Sequence, residues 1–216
     1  MTIQNQKENH RRAGRPREFN RKEALEKALK IFWSYGYEPT PVSLLCSEMG
    51  IKPPSFYAAF GNKESLFIEA INYYEQTYWQ EPLRRLEASH LPIREALNVF
   101  FKEAADILLN PANPSGCMVV LAAVNISPKE ERIASLVKQL RLETGNFFFR
   151  RLKRAQKDGE VEGDITAMAD ALNILLEGMS IQAKDGLSLE ALYRASLFAS
   201  RILGPNPQRT GSTESK

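Results

Sequence analysis

The stretch TPVSLLCSEMGIKPPSFYAAFGNKESLF, from Thr40 to Phe67, decides how the rest of the chain is read. Thr40 is placed to cap a short helix whose first position is Pro41, where the missing N–H costs nothing and φ already suits the helix. Val42, Leu45, Cys46 and Met49 recur at helical spacing, so this helix has one apolar side. Gly50 supplies the left-handed turn that ends it. Pro54 drives Pro53 out of the α region, so a second helix is expected with Pro53 as flanking residue and Pro54 at its first helical position, running to about Phe60. Gly61 breaks that helix, and Asn62 caps a third that opens with Lys63 and Glu64. Two short helices around a glycine turn, then a capped longer one, predict a helix-turn-helix that lies on DNA.

Upstream, Asn20 followed by Glu23 makes a capping-box-like start to another helix. Leu25, Ala28, Leu29 and Phe32 form its stripe, with Gly36 as its stop. With Trp33 and Tyr37, that stripe is expected to be core behind the two shorter helices. Before it lies RRAGRPR, Arg11 to Arg17, a poor helix former that suits the narrow, electronegative minor groove; the alternative is a merely solubilising tail. Charge is distributed to match: up to Lys63 there are 11 Lys and Arg against 6 Asp and Glu, and beyond it 18 against 20, although the whole chain carries only +3. A basic head on a slightly acidic body fits a nucleic-acid contact confined to one end.

Thr40, Val42, Leu45, Gly50, Ile51, Tyr57, Phe60, Lys63, Glu64, Leu66 and Phe67 fall in register with the signature of the TetR family of bacterial repressors, and over about its first 70 residues the chain resembles that family. Three positions depart from the family pattern. Lys52 stands where a capping serine is preferred, Pro54 where glycine is, and Ala59 where histidine is common, so the target sequence is not readable by analogy. The resemblance implies an all-α fold: an N-terminal three-helix DNA-binding module with a helix-turn-helix, and a C-terminal helical ligand-binding and dimerisation domain. The expected divisions are a basic arm over 1–18, the DNA-binding domain over 19–65, the effector and dimerisation domain over 66–204, and a disordered tail over 205–216.

The expected DNA-contacting set is Arg15, Arg17, Thr40, Lys52, Ser55, Tyr57, Ala59 and Lys63. Lys52, at the entrance of the second short helix, is a point charge suited to a phosphate or a guanine edge. Ser55, Ala58 and Ala59 are small; they hydrogen-bond or touch a thymine methyl, without the bidentate contact that Arg or Asn makes. Specificity is therefore expected to lean on methyl contacts, DNA shape and the arm. Tyr57 and Lys63 resemble the family's phosphate-binding pair, Lys63 sitting at the positive end of the helix it begins.

Past Phe67 the stripe Leu66, Phe67, Ala70, Ile71, Tyr74, Tyr78 predicts one rigid element linking head to body, bent or ended by Pro82. The remainder is expected to be helical: Ile93 to Leu109, a buried helix over Cys117 to Ile126, a long one from Pro128 to about Lys157, and a final pair, about Asp164 to Lys184 and Ser188 to Leu203. The basic aromatic run FFFRRLKR is read as a solvated face beside a core stripe. The last pair carries more apolar surface than one small body needs, which implies a partner; the resemblance implies a homodimer through these two helices. It also implies an apolar effector pocket, for which Phe101, Met118, Leu121, Asn125, Phe148, Arg151, Leu175 and Met179 are the candidates. The expected partners are thus double-stranded DNA, an unidentified small-molecule effector and a second copy of the chain.

Other classes fare badly. Cys46 and Cys117 lie far apart in apolar patterns, as buried free thiols in a reducing cytoplasm would, and with two histidines in the chain a metal site has few ligands. The apolar run at Cys117 to Val124 is far short of the roughly 20 residues that span a bilayer. No phosphate loop, paired-histidine motif or nucleophile elbow is present, so neither an enzyme nor a cofactor is expected. The reading is a cytoplasmic regulator, most simply a repressor released from a palindromic operator by a small apolar ligand. The alternative is an architectural DNA-binding dimer without an effector, which a sealed, fully packed body would favour.

Overall fold

A computed structural model describes residues 19–121, 126–205 and 207 of the chain. Among them every regular element is helical: α1 Arg21–Tyr35, α2 Val42–Met49, α3 Pro53–Phe60, α4 Lys63–Tyr74, a π-helical segment Glu75–Trp79, α5 Gln80–Ala88, α6 Ile93–Leu108, the single turn α7 Met118–Leu121, α8 Glu131–Lys157, α9 Ile165–Lys184, α10 Leu189–Ser196 and a closing 3-10 turn Ala199–Leu203.

In the head, local chemistry sets nearly every boundary. The Asn20 side chain accepts from Lys22 N and Glu23 N, and its amide donates to Glu23 Oε1 at 2.9 Å, closing the first turn of α1. Gly50 ends α2 with φ 69°, ψ 30°, a left-handed conformation that glycine adopts at no steric cost. Asn62 Oδ1 accepts from Ser65 N at 2.7 Å and starts α4. Two boundaries differ from expectation. Helix α2 begins at Val42 with Pro41 as its flanking residue, because Thr40 is turned inward rather than toward the helix. Helix α3 begins one residue early, at Pro53 with Lys52 flanking it; neither proline has an N–H to satisfy there, so both fit the first turn.

The head closes on rings. Phe32 meets Phe67 edge to face at 5.1 Å and lies against Tyr37 at 6.3 Å. Trp33 meets Tyr74 at 4.7 Å and Tyr78 at 5.4 Å. Such pairs add about 0.5–1.5 kcal/mol each beyond the area they bury. The hydrophobic cluster is contiguous from Ala24 to Leu203, so head and body share one core and α4 runs unbroken across the expected boundary at residue 65.

Pro82 does not end the linking helix. Proline has no N–H to give the carbonyl of Tyr78 four residues back, so the α pattern cannot pass through unchanged. The chain widens into a π turn just before it, in which Gln80 N donates five residues back to Glu75 O, and then resumes as α5. The extra residue turns Trp79 inward, where it is 3 % exposed. Its Nε1 donates to the Tyr74 hydroxyl at 2.8 Å.

In the body, α8 packs on α9 and α5, while α6 packs on α10, α5 and the closing turn. The expected helix over Cys117 to Ile126 is only the turn α7; residues 122–125 lie outside those described. The last expected helix stops at Ser196 and finishes as a 3-10 turn before Gly204.

Candidate functional site

On the head, α3 presents an outer face. Lys52, Ser55 and Ala58 are exposed, and Tyr57 is 53 % exposed with its ring held edge-on against buried Phe56 at 5.3 Å. Ala59 is half-buried, and its carbonyl accepts from Arg21 Nη2 at 3.2 Å. Lys63 is also half-buried. Its Nζ sits 4.3 Å above the Tyr37 ring and donates to the Glu38 carbonyl at 3.4 Å. Burial pulls its pKa down, while Glu38 and Glu130 push it up.

Thr40 needs correction both as a cap and as a DNA contact. It is fully buried, and its hydroxyl donates to the Gly36 carbonyl at 2.6 Å, locking the turn between α1 and α2. Arg15 and Arg17 lie outside the described residues.

Arg21 went unnoticed in the sequence. It pairs with Glu69 at 2.5 and 2.7 Å, lies 4.6 Å from the Phe60 ring, and so straps α1 to α3 and α4. Its position in the first turn of α1 carries no local sign of that role, since its partners are 38 and 48 residues away.

The head is tied to the body on two of its sides, among other contacts. On one side Trp33 Nε1 donates to the Gly116 carbonyl at 2.8 Å in a buried contact, and the next residue, Cys117, donates its N–H to Ser180 Oγ at 2.7 Å. On the other, the ties are polar: Tyr37 to Glu130 at 3.2 Å, Ser127 N to Glu38 at 3.0 Å, and Arg132 to Glu64 at 2.9 Å. Gly116 has φ 82°, and a Cβ there would meet Ser180 O at 2.8 Å and Leu121 Cδ1 at 2.5 Å. Only glycine lets the loop come this close to α9.

Beside this junction lies a small cavity of about 30 Å³. Its walls include Glu75 and Trp79 of the π segment, Cys117, Arg141, Asn173 and Glu177. A π turn inside a helix is a frequent mark of a functional site, and here it delivers two wall residues. Burial pushes the Glu75 carboxyl up to about 7 and, as the leading cause, the Cys117 thiol up to about 11. Cys46 and Cys117 are both buried and free.

None of the seven described pocket candidates lines this cavity. Phe101, Met118 and Phe148 are completely buried, Phe101 and Phe148 stacked at 5.8 Å; they are packing. Arg151 is 2 % exposed and donates to the Leu91 carbonyl at 2.7 Å, clamping the loop before α6. Leu175 and Met179 line instead an open groove between α9 and α10. Leu121 packs toward Gly116, and Asn125 is outside the described residues. The cavity lies against Glu75 and Trp79, on the side of the linking helix that the π turn rotates inward.

A second surface feature accompanies it. Ile174 and Ile181 of α9, with Leu197 and Phe198 just after α10, are 68, 46, 61 and 55 % exposed, apolar side chains open to solvent near the end of the chain's helical body. Among the described residues no three His, Cys, Asp or Glu come together, and no helix is long and apolar enough to cross a membrane.

An exposed, proline-started helix set on a ring-packed three-helix head, carried by an all-helical body, defines a helix-turn-helix regulator. The sequence profile described as bacterial regulatory proteins, tetR family, matches residues 24–70. The transcriptional repressor ComR of Escherichia coli (strain K12) is 34% identical over 183 residues, covering 84% of this chain and 87% of ComR. The repressor BdcR of the same organism is 30% identical over 200 residues, 91% of this chain and 95% of BdcR. Among solved structures, the TetR family transcriptional regulator CifR, as a cysteine-substituted variant complexed with 26-bp double-strand operator DNA, superposes with a TM-score of 0.81 at 34% identity, covering 87% of this chain and 98% of that one. The chain belongs to the TetR family and is a transcriptional regulator rather than an enzyme.

Proposed function

We propose that the protein is a homodimeric repressor that binds a palindromic operator through α3 and releases it when a small molecule occupies the body. The carrying observation is the buried Trp33–Gly116 bond, which places the base of the head one residue from the cavity wall at Cys117. A ligand that moves this wall in one of two states acts on the seating of α1, and α1 carries the helix-turn-helix; the shift needs only a difference in affinity between the states.

Two further points support the reading. The operator complex of CifR is a precedent for DNA binding by this fold. The apolar side chains exposed on α9 and just after α10 are suited to a second copy, and a symmetric pair of heads reads two half-sites about 34–36 Å apart. A cavity in the body also favours a regulator over an architectural protein.

Selection of bound duplexes from a random pool tests this. The expected product is a palindrome, bound by a particle of twice the chain mass. Replacing Leu197 and Phe198 together by Glu is expected to give monomers with operator affinity reduced more than about 100-fold, in line with the loss of one of two half-site contacts. Sequence-blind binding by the unaltered chain, or full affinity in a monomeric variant, refutes the proposal.

A further inference from the structure

The polar walls of the cavity are unbalanced: most of their donors are engaged and two of their acceptors are open. Arg141, a cation in the lining, is held by backbone, its Nη2 donating to the carbonyls of Val119 and Val120 at 3.0 Å each and its Nε to Val119 at 3.3 Å. The indole N–H of Trp79 is taken by Tyr74, and the Thr144 hydroxyl donates to Leu140 O at 3.2 Å. The Asn173 amide donates to Glu177 Oε1 at 3.4 Å. The carboxylate fixes that amide's orientation, because the reverse one would set two acceptors face to face.

What remains is a pair of unfilled acceptors. Asn173 Oδ1 is buried with no donor, and among the described residues no side chain donates to the Glu75 carboxyl. An orphaned buried acceptor carries a desolvation cost that a donor on a ligand recovers. Glu75 is half-buried, and burial without a counter-charge is what raises its pKa.

We propose, building on the sensor reading above, that the cavity accepts a small primary or secondary ammonium ion, its N–H groups directed to Glu75 and to Asn173 Oδ1 and its alkyl part lying on Leu108, Val119 and Leu176. The chemistry excludes the neighbouring classes. An anion meets two carboxylates, and the guanidinium in the lining is drawn onto backbone carbonyls through its Nε and Nη2. A quaternary ammonium has no N–H for Asn173. A neutral alcohol brings one donor and no charge. The small water-accessible space limits the occupant to a few heavy atoms in this conformation.

Isothermal titration of the full chain with n-butylammonium chloride, 1-butanol and sodium butyrate tests the assignment, run beside release of a selected operator duplex. Butylammonium is expected to bind at least tenfold more tightly than butanol or butyrate. Glu75→Gln and Asn173→Leu are each expected to lower its affinity about tenfold while leaving that of butanol within twofold. Asn173→Asp, a near-isosteric change that adds negative charge, is expected to tighten butylammonium binding and keeps the test decisive should Asn173→Leu misfold. Equal or tighter binding of butanol or butyrate, no binding of the amine, or an amine affinity indifferent to Glu75→Gln overturns the proposal. The two readings fail separately. An amine that binds without freeing the operator leaves the ligand class standing and sinks the sensor; butyrate or butanol that frees the operator leaves the sensor standing and sinks the ligand class.

Discussion

In the head, Phe32, Trp33, Phe56 and Phe67 are at most 1 % exposed, and the buried indole N–H and the Thr40 hydroxyl both have carbonyl partners. In the body, Arg94 Nε, Asn98 Oδ1, Arg151 Nε and Nη1, and Asn173 Oδ1 are buried without any hydrogen-bond partner. Among the described residues every such orphan falls on α6, α8 or α9. The difference teaches how work is divided along one contiguous core. A DNA-reading surface must be held rigidly, which favours full satisfaction and ring packing. A sensing body must have two arrangements of similar free energy, and unpaired groups are where a ligand gains its differential hold.

The contrast breaks first at the ring cluster. Phe32→Ala removes a ring packed against Phe67 and Tyr37 from a region with no slack, and is expected to cost about 3–5 kcal/mol. Denaturant unfolding checks it; a loss under about 1.5 kcal/mol would show the head to be as loosely packed as the body.

Next is the junction. Gly116→Ala sets a methyl 2.8 Å from the Ser180 carbonyl at φ 82°. Backbone cannot yield as the Leu121 side chain can, so a loss of about 2–4 kcal/mol is expected. Because the Trp33 bond ends on the same residue, operator affinity should fall with stability. Unchanged affinity in a folded variant would remove the junction from the coupling path.

Glu75 sharpens the comparison from the body's side. Its folded pKa, about 7, is raised above that of an ordinary glutamate, so between roughly pH 4.5 and 7 the folded chain holds a proton that the unfolded chain has lost. The group's contribution to stability is therefore fully present at low pH and fades as pH rises through that window. Tyr74 and Cys117, which face it, are both held above their ordinary values and stay neutral there. Melting curves of wild type and Glu75→Gln are expected to converge below about pH 4.5 and to separate by pH 8, with the glutamine form more stable by roughly 3 kcal/mol. Parallel curves would mean that the carboxyl is solvated.

The head was legible in the sequence because its signals are local. Asn20, Gly36, Gly50 and Asn62 each act within three or four residues of where they stand, and the apolar stripe of α1 keeps a 3.6-residue period throughout. Thr40 is the exception: capping and turn-locking both begin with a threonine beside a proline, and only the position of the Gly36 carbonyl decides between them. In the body the period itself changes. A uniform helix places Tyr74 and Tyr78 inward; the π turn keeps both against Trp33 and brings Trp79 to the buried side as well, and the cavity follows the shifted register. The usable sign was Pro82 inside an otherwise helical run. Phe101, Phe148 and Met118 misled because a large apolar side chain at helical spacing looks the same whether it meets a neighbour or a void. Arg151 finds its carbonyl 60 residues away, a distance across which no pattern in the chain speaks.

The smallest expected effect falls on the DNA face, and it asks whether the head is as finished as its packing suggests. Tyr57 is more than half exposed and its hydroxyl has no protein partner among the described residues, so the ring is placed and the hydroxyl is left for a phosphate. Lys63 differs: its ammonium already sits on the Tyr37 ring and the Glu38 carbonyl, and must leave one of them to reach DNA. Tyr57→Phe is expected to weaken binding by about 1 kcal/mol or less, equally for all duplexes, since a phosphate contact carries no base information. Lys63→Ala should act in the same sequence-independent way and lower the slope of log affinity on log salt by about one for the lost phosphate contact. Fluorescence anisotropy at several salt concentrations separates the two. A salt slope unmoved by Lys63→Ala would place that lysine inside the head's own packing, as a strut beneath Tyr37 rather than a hand on the duplex.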